Sequence, residues 1–146
     1  MWSALQFALL IMTPAVLSAA DQFVGYWKLD PERSIFMGGG TALSGGVMYM
    51  ATDDGYMFRQ ATVFGADKVS TRSGRVQFGE TAKLNRRASR LTRGIDDNSY
   101  EVVYIDNLIK APVCVFRYTV YPQIKTLIIV VLKGDETVET LVYNKQ

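Results

Sequence analysis

Histidine is absent from the chain, and this absence excludes more functions than any other feature of the composition. Imidazole is the usual general base near neutral pH and the commonest protein ligand for zinc, copper and haem iron. Histidine-dependent triads, histidine-bound metals and histidine-held haem are therefore excluded. Cys114 is the single cysteine, so the chain forms no internal disulfide and no thiolate cluster. We expect neither a metal nor a cofactor.

The chain also has little excess of charge of either sign. Sixteen basic and fourteen acidic side chains leave a net charge of +2, and 49% of the residues are apolar. This composition fits one globular domain and is too apolar for a disordered chain. With no disulfide available, the domain must be stabilised by its hydrophobic core, in which we expect Cys114 to be a small buried residue.

The first twenty residues have the composition of a secretion signal. Residues 1–20 contain no charged side chain, and the apolar stretch 7–17 is too short to span a bilayer comfortably. Small residues at Ser18 and Ala20 fit the positions that signal peptidase reads, which predicts cleavage before Asp21. The alternative is an uncleaved amphipathic or anchoring helix. We expect a signal peptide over 1–20, a single domain over 21–146, and a periplasmic or secreted location.

The remainder of the chain has the pattern of an all-β protein. Segments rich in Val, Ile, Tyr, Phe and Thr alternate with turns containing Gly, Asp, Asn or Pro. Residues 47–52 and 56–64 flank Asp53-Asp54-Gly55, a strong signal for a hairpin. Long strands joined by short turns predict an antiparallel sheet that closes on itself, because closure removes exposed edges. The expected fold is an up-and-down β-barrel of about eight to nine strands.

Two segments leave alternatives open. In 81–95, four apolar residues fall at helical spacing among basic ones, so a short basic helix competes with a loop to Arg87 followed by a strand over 88–94. The strand-rich context favours the strand. Residues 127–132 are apolar on both faces, which indicates a strand that is covered on each side or that contacts a partner.

Several short motifs resemble those of a known family. Gly25-Tyr26-Trp27 carries the Gly-x-Trp of lipocalins, and Asp30, Arg33-Ser34 and Phe36 follow it. Together with 97–102 and 141–146, these motifs resemble small secreted bacterial lipocalin-like, or calycin-like, β-barrel proteins.

This resemblance implies an antiparallel barrel that Trp27 closes at one end, while the other end admits a small apolar ligand. Gly25 and Trp27 would form the closure with a late basic side chain, for which Lys145 and Arg117 are the candidates. Proteins of this kind have no assigned activity, so the resemblance supplies a fold rather than a function.

The barrel interior is the first candidate site. An eight-stranded barrel is just wide enough to hold one small ligand or to be filled by its own side chains. Large flexible and aromatic residues suit either outcome, an adaptable apolar pocket or a packed core. The candidate ligand-binding residues are Met48, Met50, Met57, Phe58, Phe116 and Tyr118.

The basic segment 68–93 is the second candidate site. It holds eight basic side chains against Glu80 alone. Its partner would be an anionic lipid headgroup, an acidic envelope polymer or an acidic ligand at the barrel mouth. A solvated face without a partner explains the same pattern. The candidate anion-binding residues are Arg86, Arg87, Arg90 and Arg93.

These patterns favour a non-catalytic binding protein for a small hydrophobic or amphipathic ligand. The alternative is an envelope interaction protein with a filled barrel, which docks on anionic lipid, polymer or protein through segment 68–93. Paired carboxylates such as Asp96-Asp97 lie in turns, where acidic residues are common for backbone reasons, so we expect no enzyme. Nucleic acid is not an expected partner, because the segment lacks aromatic residues between its cations apart from Phe78. The oligomeric state does not follow from the sequence.

Overall fold

The computed structural model describes residues 22–146, so the predicted signal peptide and its cleavage site before Asp21 lie outside the described residues. Within these residues, ten antiparallel strands form one sheet. The strands are β1 (Gly25–Leu29), β2 (Ser44–Thr52), β3 (Gly55–Gly65), β4 (Lys68–Gln77), β5 (Thr81–Lys83), β6 (Ala88–Asp96), β7 (Ser99–Asp106), β8 (Ala111–Tyr121), β9 (Thr126–Lys133) and β10 (Glu136–Lys145). Two short 3-10 helices cover Met37–Gly39 and Pro122–Ile124. Among these elements, no helix is both long and apolar enough to span a membrane.

The sheet is an up-and-down meander that wraps around so that its first and last strands pair. Its order is β4-β3-β2-β1-β10-β9-β8-β7-β6-β5, and Trp27 of β1 lies opposite Lys145 of β10. The predicted all-β, up-and-down architecture is confirmed. The predicted strand number was slightly low, because the chain between β4 and β6 contributes the three-residue strand β5. Within 22–146, β4 and β5 end the strand order and do not pair, so the predicted full closure by hydrogen bonds is wrong at this point.

Segment 81–95 contains two strands and a turn rather than a helix. Thr81 to Lys83 of β5 pair with Leu91 to Ser89 of β6, and Asn85 closes the turn by accepting hydrogen bonds from the backbone N–H groups of Arg87 and Ala88. The apolar residues of this segment recur at helical spacing, but β6 pairs with β7 and is therefore a strand. The strand alternative is therefore correct from Ala88 onward.

The predicted hairpin at Asp53-Asp54-Gly55 joins β2 to β3, where Thr52 pairs with Gly55. Glycine is required at position 55 because the neighbouring strand β4 passes very close to it. A Cβ atom there would clash with the carbonyl oxygen of Val76. The turn residue therefore serves the packing of β4 as well as the reversal of the chain.

The alternation of turns gives the barrel two distinct ends. The end that holds Trp27 and the β2–β3, β4–β5, β6–β7 and β8–β9 turns is called the closed end below. The opposite end carries the β3–β4, β5–β6, β7–β8 and β9–β10 turns and the long connection 30–43 from β1 to β2, and it is called the open end.

An aromatic cluster fills the closed end. Phe23, Trp27, Tyr49, Tyr56 and Tyr100 are almost fully buried, and the Phe23 ring lies 5.0 Å from that of Tyr100. The indole Nε1 of Trp27 donates a hydrogen bond of 2.7 Å to the Phe23 carbonyl. Each large ring removes apolar area from water, and edge-to-face contacts add specificity. This half of the barrel is a packed core.

Candidate functional site

A cavity occupies the interior toward the open end. Its volume is about 200 Å³, whereas a single water molecule requires only about 10–15 Å³ of such space. Aromatic and aliphatic side chains form most of the wall, with a few polar groups among them. The lining residues are Leu29, Phe36, Gln60, Thr62, Phe64, Ser70, Arg72, Phe116, Tyr118, Ile129, Glu139, Leu141 and Tyr143.

A second, nearly filled pocket continues from this cavity toward the closed end. It retains only about 30 Å³. The two pockets share Gln60, Arg72, Tyr118 and Ile129, which lie at the level where the interior changes from packed to open. The structure therefore combines the two alternatives left open by the sequence, since the barrel is filled at one end and hollow at the other.

Arg72, Arg75 and Arg90 line the narrow pocket near the unpaired edge of the sheet, and Arg75 lies 3.9 Å from the Asp54 carboxylate. The Arg72 guanidinium of β4 lies 6.0 Å from the ring centroid of Phe58, and Arg90 of β6 lines the narrow pocket. Both guanidinium groups interact electrostatically with the Tyr118 hydroxyl. Neither arginine forms an ion pair with any carboxylate in the described part of the chain. The interior consequently carries two positive charges that no acidic side chain neutralises by direct contact.

Neutral hydroxyl and amide groups surround these two cations. Gln60 donates a hydrogen bond of 3.2 Å to the Tyr143 hydroxyl. Burial raises the pKa of Tyr118, and it raises the pKa of Tyr143 to about 12, despite the opposing effect of Arg72 on both. Both phenols are therefore protonated at neutral pH and can donate hydrogen bonds. Guanidinium and phenol donors converging on a small space are suited to an anionic group.

One carboxylate also faces the cavity. Glu139 lies near the start of β10, at the open end, and its Oε2 accepts a hydrogen bond of 2.9 Å from the Met37 backbone N–H. This bond ties the connection 30–43 to the barrel rim and occupies one carboxylate oxygen. The negative charge thus lies at the mouth, while Arg72 and Arg90 reach the deeper part.

Three of the six predicted ligand-binding residues line the interior, and three do not. Phe58, Phe116 and Tyr118 contribute to its wall. Met48, Met50 and Met57 lie on the outer face and are each about 40% exposed, so the structure corrects their proposed position. Successive side chains alternate between faces of a strand. In β2 and β3 the inward positions belong to residues such as Tyr49 and Phe58, which leaves the methionines outside.

The four arginines predicted to form an anion-binding surface do not share one surface. Arg86 and Arg87 lie in the β5–β6 turn, and Arg90 faces the interior. Arg93 lies on the outer face, where its guanidinium binds Oε2 of Glu101 at 2.7 Å. The grouping is therefore corrected, because β6 sends alternate residues to opposite sides of the sheet.

The predicted closure residues meet at the closed end. The Lys145 ammonium lies 5.2 Å from the centroid of the Trp27 ring, a cation–π distance. A Cβ atom at Gly25 would approach Lys145 Cε to 3.1 Å, and the positive φ of Gly25, 126°, also favours glycine. Arg117, the alternative partner for Trp27, instead binds Oε1 of Glu101 at 2.7 Å on the outer face.

Sequence reasoning missed Gln60, Arg72, Glu139 and Tyr143 as parts of the interior. A signal for Arg72 was present, since it shares one pleat face of β4 with Ser70, Gly74 and Val76. Cys114 also lies on an inward position, opposite Tyr104 of β7, where it is half-buried and burial raises its thiol pKa. A raised pKa keeps the thiol protonated and unreactive.

Comparisons with known proteins identify the fold. No protein-family model matches the chain, and none of the curated proteins matches it. Among solved structures, the fluorescent protein UnaG superposes with a TM-score of 0.65 at 14% identity, covering 87% of this chain and 99% of that one. A Schistosoma mansoni fatty acid binding protein in complex with arachidonic acid gives 0.62 at 17% identity, covering 88% and 99%. Echinococcus granulosus fatty-acid-binding protein 1 gives 0.58 at 18% identity, covering 86% and 98%.

These likenesses show that the chain has the β-barrel fold of the fatty-acid-binding proteins. At such low identity they show the fold alone, and ligand and activity have to be argued from the interior of this chain.

Proposed function

We propose that this protein binds a small amphipathic anion, such as a carboxylic acid with an aliphatic tail, in the barrel cavity and does not act on it chemically. The observation that carries the proposal is the pair Arg72 and Arg90, which face the interior without an ion-pair partner in the described chain. Arg72 is exposed and Arg90 is half-buried, and an anion entering the cavity would form charge-assisted hydrogen bonds with guanidinium groups that no acidic side chain occupies.

The distribution of polar and apolar groups sets the orientation of this ligand. The anionic group is placed at the junction of the two pockets, where Arg72, Gln60, Tyr118 and Tyr143 converge. The tail extends toward the open end between Phe36, Phe64, Phe116 and Leu141. Apolar walls supply affinity and the few polar groups fix the direction of binding, as in other concave ligand sites.

The size of the cavity limits the ligand. Pockets for drug-sized ligands usually measure roughly 300–1,000 Å³, and the cavity of about 200 Å³ is below that range. We therefore expect acids with short or medium tails to bind better than long ones. The calycin-type neighbours include proteins whose names record fatty acid binding, which supports this ligand class.

Isothermal titration calorimetry with saturated acids from octanoic to palmitic acid tests the proposal, with the alcohol and the primary amine of each chain length as comparison ligands. We expect saturable binding whose affinity decreases from the acid to the alcohol to the amine. Replacing Arg72 with Gln should weaken binding of the acid about tenfold, because it removes a charge-assisted hydrogen bond, and Arg90→Gln should weaken it less, because Arg90 lines only the narrow pocket. Binding of the alcohol should change little.

Matched variants distinguish the effect of substitutions in the cavity from that of the same substitutions on the outer face. Arg59→Gln removes the same charge from the outer face of β3, and Ser73→Phe adds a ring to the outer face of β4. Neither should alter affinity. Ser70→Phe adds the same ring inside the cavity and should abolish binding without loss of folding. Equal binding of acid and amine, or the absence of saturable binding of any of these ligands, would contradict the proposal.

A further inference from the structure

Two neighbouring turns at the open end combine exposed apolar side chains with basic ones. Leu108 and Ile109 in the β7–β8 turn are 66% and 68% exposed, and Leu84 in the β5–β6 turn is 46% exposed. The same turns carry Arg86 and Arg87 next to Leu84, and Lys110 next to Ile109, all exposed. We call residues 84–87 and 107–110 the tip.

Asn107 joins the two halves of the tip. Its backbone N–H donates to the Arg87 carbonyl at 2.7 Å, and its Oδ1 accepts from the Ser89 hydroxyl at 2.7 Å. Its side-chain amide also lies at hydrogen-bond distance from the carbonyls of Asn85 and Arg86. The turns therefore form one connected unit rather than two independent loops.

Local backbone contacts hold the β7–β8 turn in a shape that leaves its apolar side chains exposed to water. The Asp106 carboxylate accepts a hydrogen bond of 2.8 Å from the Leu108 N–H, and Lys110 has a positive φ of 52°. These contacts fix the turn locally, and yet Leu108 and Ile109 bury little of their surface against the barrel. Two adjacent aliphatic side chains held outward by a defined turn suit insertion into an apolar medium.

The charge of the tip indicates the partner. Arg86, Arg87 and Lys110 form no ion pair within the described residues. Asp106 directly precedes the second turn in the sequence, and its carboxylate accepts a hydrogen bond from the backbone. A cationic ring around exposed aliphatic residues complements a surface with anionic headgroups over a hydrocarbon layer, where each Lys or Arg contributes about 1 kcal/mol of attraction.

We infer that the tip docks on anionic lipid bilayers, with Leu108 and Ile109 entering the headgroup region and Arg86 and Arg87 contacting lipid phosphates. Docking there would present the open end of the barrel to the membrane. The inference uses none of the cavity residues, so it holds or fails independently of the proposed ligand.

Co-sedimentation of the purified protein with lipid vesicles tests this inference. Vesicles of phosphatidylcholine with phosphatidylglycerol should bind the protein, vesicles of phosphatidylcholine alone should bind it much less, and added salt should weaken the binding. Removing two charges with Arg86→Gln and Arg87→Gln should lower the partition coefficient about 30-fold. Leu108→Ser with Ile109→Ser should lower it about tenfold.

Control variants carry the same changes elsewhere on the surface. Arg59→Gln removes a charge from the outer face of β3, and Ile124→Ser replaces an exposed aliphatic residue at the closed end. Both should bind vesicles as the wild-type protein does, and far-ultraviolet circular dichroism should show all variants folded. The inference is overturned by equal binding to both vesicle types or by equal losses in control and tip variants. Binding to an anionic polymer such as polyglutamate without binding to vesicles would overturn it as well.

Discussion

Removal of both arginines that flank Glu101 should destabilise the protein by more than the sum of the single removals. Glu101 lies on the outer face of β7, opposite Arg93 of β6 and Arg117 of β8, and its side chain is only 5% exposed. Each guanidinium gives two hydrogen bonds of 2.7–2.9 Å to one carboxylate oxygen. The carboxylate is thus held from both sides, and either arginine alone still neutralises it.

The magnitudes follow from the unequal exposure of the three groups. The side chain of Arg93 is 58% exposed and that of Arg117 is 50% exposed. Losing one of them should therefore lower the free energy of unfolding by only about 1 kcal/mol. Losing both leaves a nearly buried carboxylate without a partner, which costs about 3–5 kcal/mol. Arg93→Met and Arg117→Met should therefore show a coupling of 1 kcal/mol or more. Adding Glu101→Leu to the double variant should recover most of the loss, because no charge then remains buried.

The acid dependence of stability provides an independent measure of this network. Burial alone raises the pKa of Glu101, but hydrogen bonds from Arg117 and Arg93 outweigh it and lower the net pKa below its ordinary value. A carboxyl whose folded-state pKa is depressed stabilises the fold above its unfolded-state pKa and loses that contribution as pH falls through the folded value. The advantage of the wild type over Glu101→Gln, about 2 kcal/mol at neutral pH, should therefore shrink in acid.

Urea unfolding followed by Trp27 fluorescence gives these free energies, provided that the slopes of the transitions agree among variants. Additivity of the two arginine replacements within about 0.5 kcal/mol would refute the reasoning. A difference between wild type and Glu101→Gln that stays constant down to strongly acidic pH would refute it as well.

Two further predictions concern the ligand and the N-terminus. Gln60→Glu places a carboxylate opposite Arg72 on the inner face. In calorimetry it should weaken the binding of acids and improve the binding of amines of equal chain length. An unchanged preference for acids would contradict the proposed polarity of the site. The protein recovered after export should begin at Asp21, as N-terminal sequencing can establish, and export with residues 1–20 still attached would contradict the predicted cleavage.

Much of the fold could be predicted from the sequence because its signals are local. Asp53-Asp54-Gly55 predicted the hairpin that joins β2 and β3, and the alternation in 113–121 predicted β8 with Phe116 and Tyr118 on one face. The short strand β5 could not be predicted in this way. Its three residues are exposed and carry no apolar alternation, so it exists only through pairing with β6.

The candidate site was less predictable because it depends on which face of a strand turns inward. Met50 and Met57 are paired neighbours whose alternation with Tyr49 and Phe58 fits either orientation of the hairpin. The choice is made by distant contacts at the closed end, where Phe23 and Tyr100 pack against Tyr49. Residue type alone predicted the methionines as ligand-binding residues, since flexible side chains suit adaptable pockets.

The two environments of arginine in this barrel support the proposed polarity of the cavity. On the outer face, Arg93 and Arg117 have a resident carboxylate between them, although water could solvate both guanidinium groups there. On the inner face, the neighbours of Arg72 and Arg90 include the Phe58 ring and the hydroxyls of Tyr118 and Tyr143, and neither arginine has a carboxylate partner within the described residues. Gln60, and not an acidic residue, lies opposite Arg72 on β3, so this neighbour does not neutralise the guanidinium. These unpaired positive charges are the physical basis of the proposal that the cavity binds an anion.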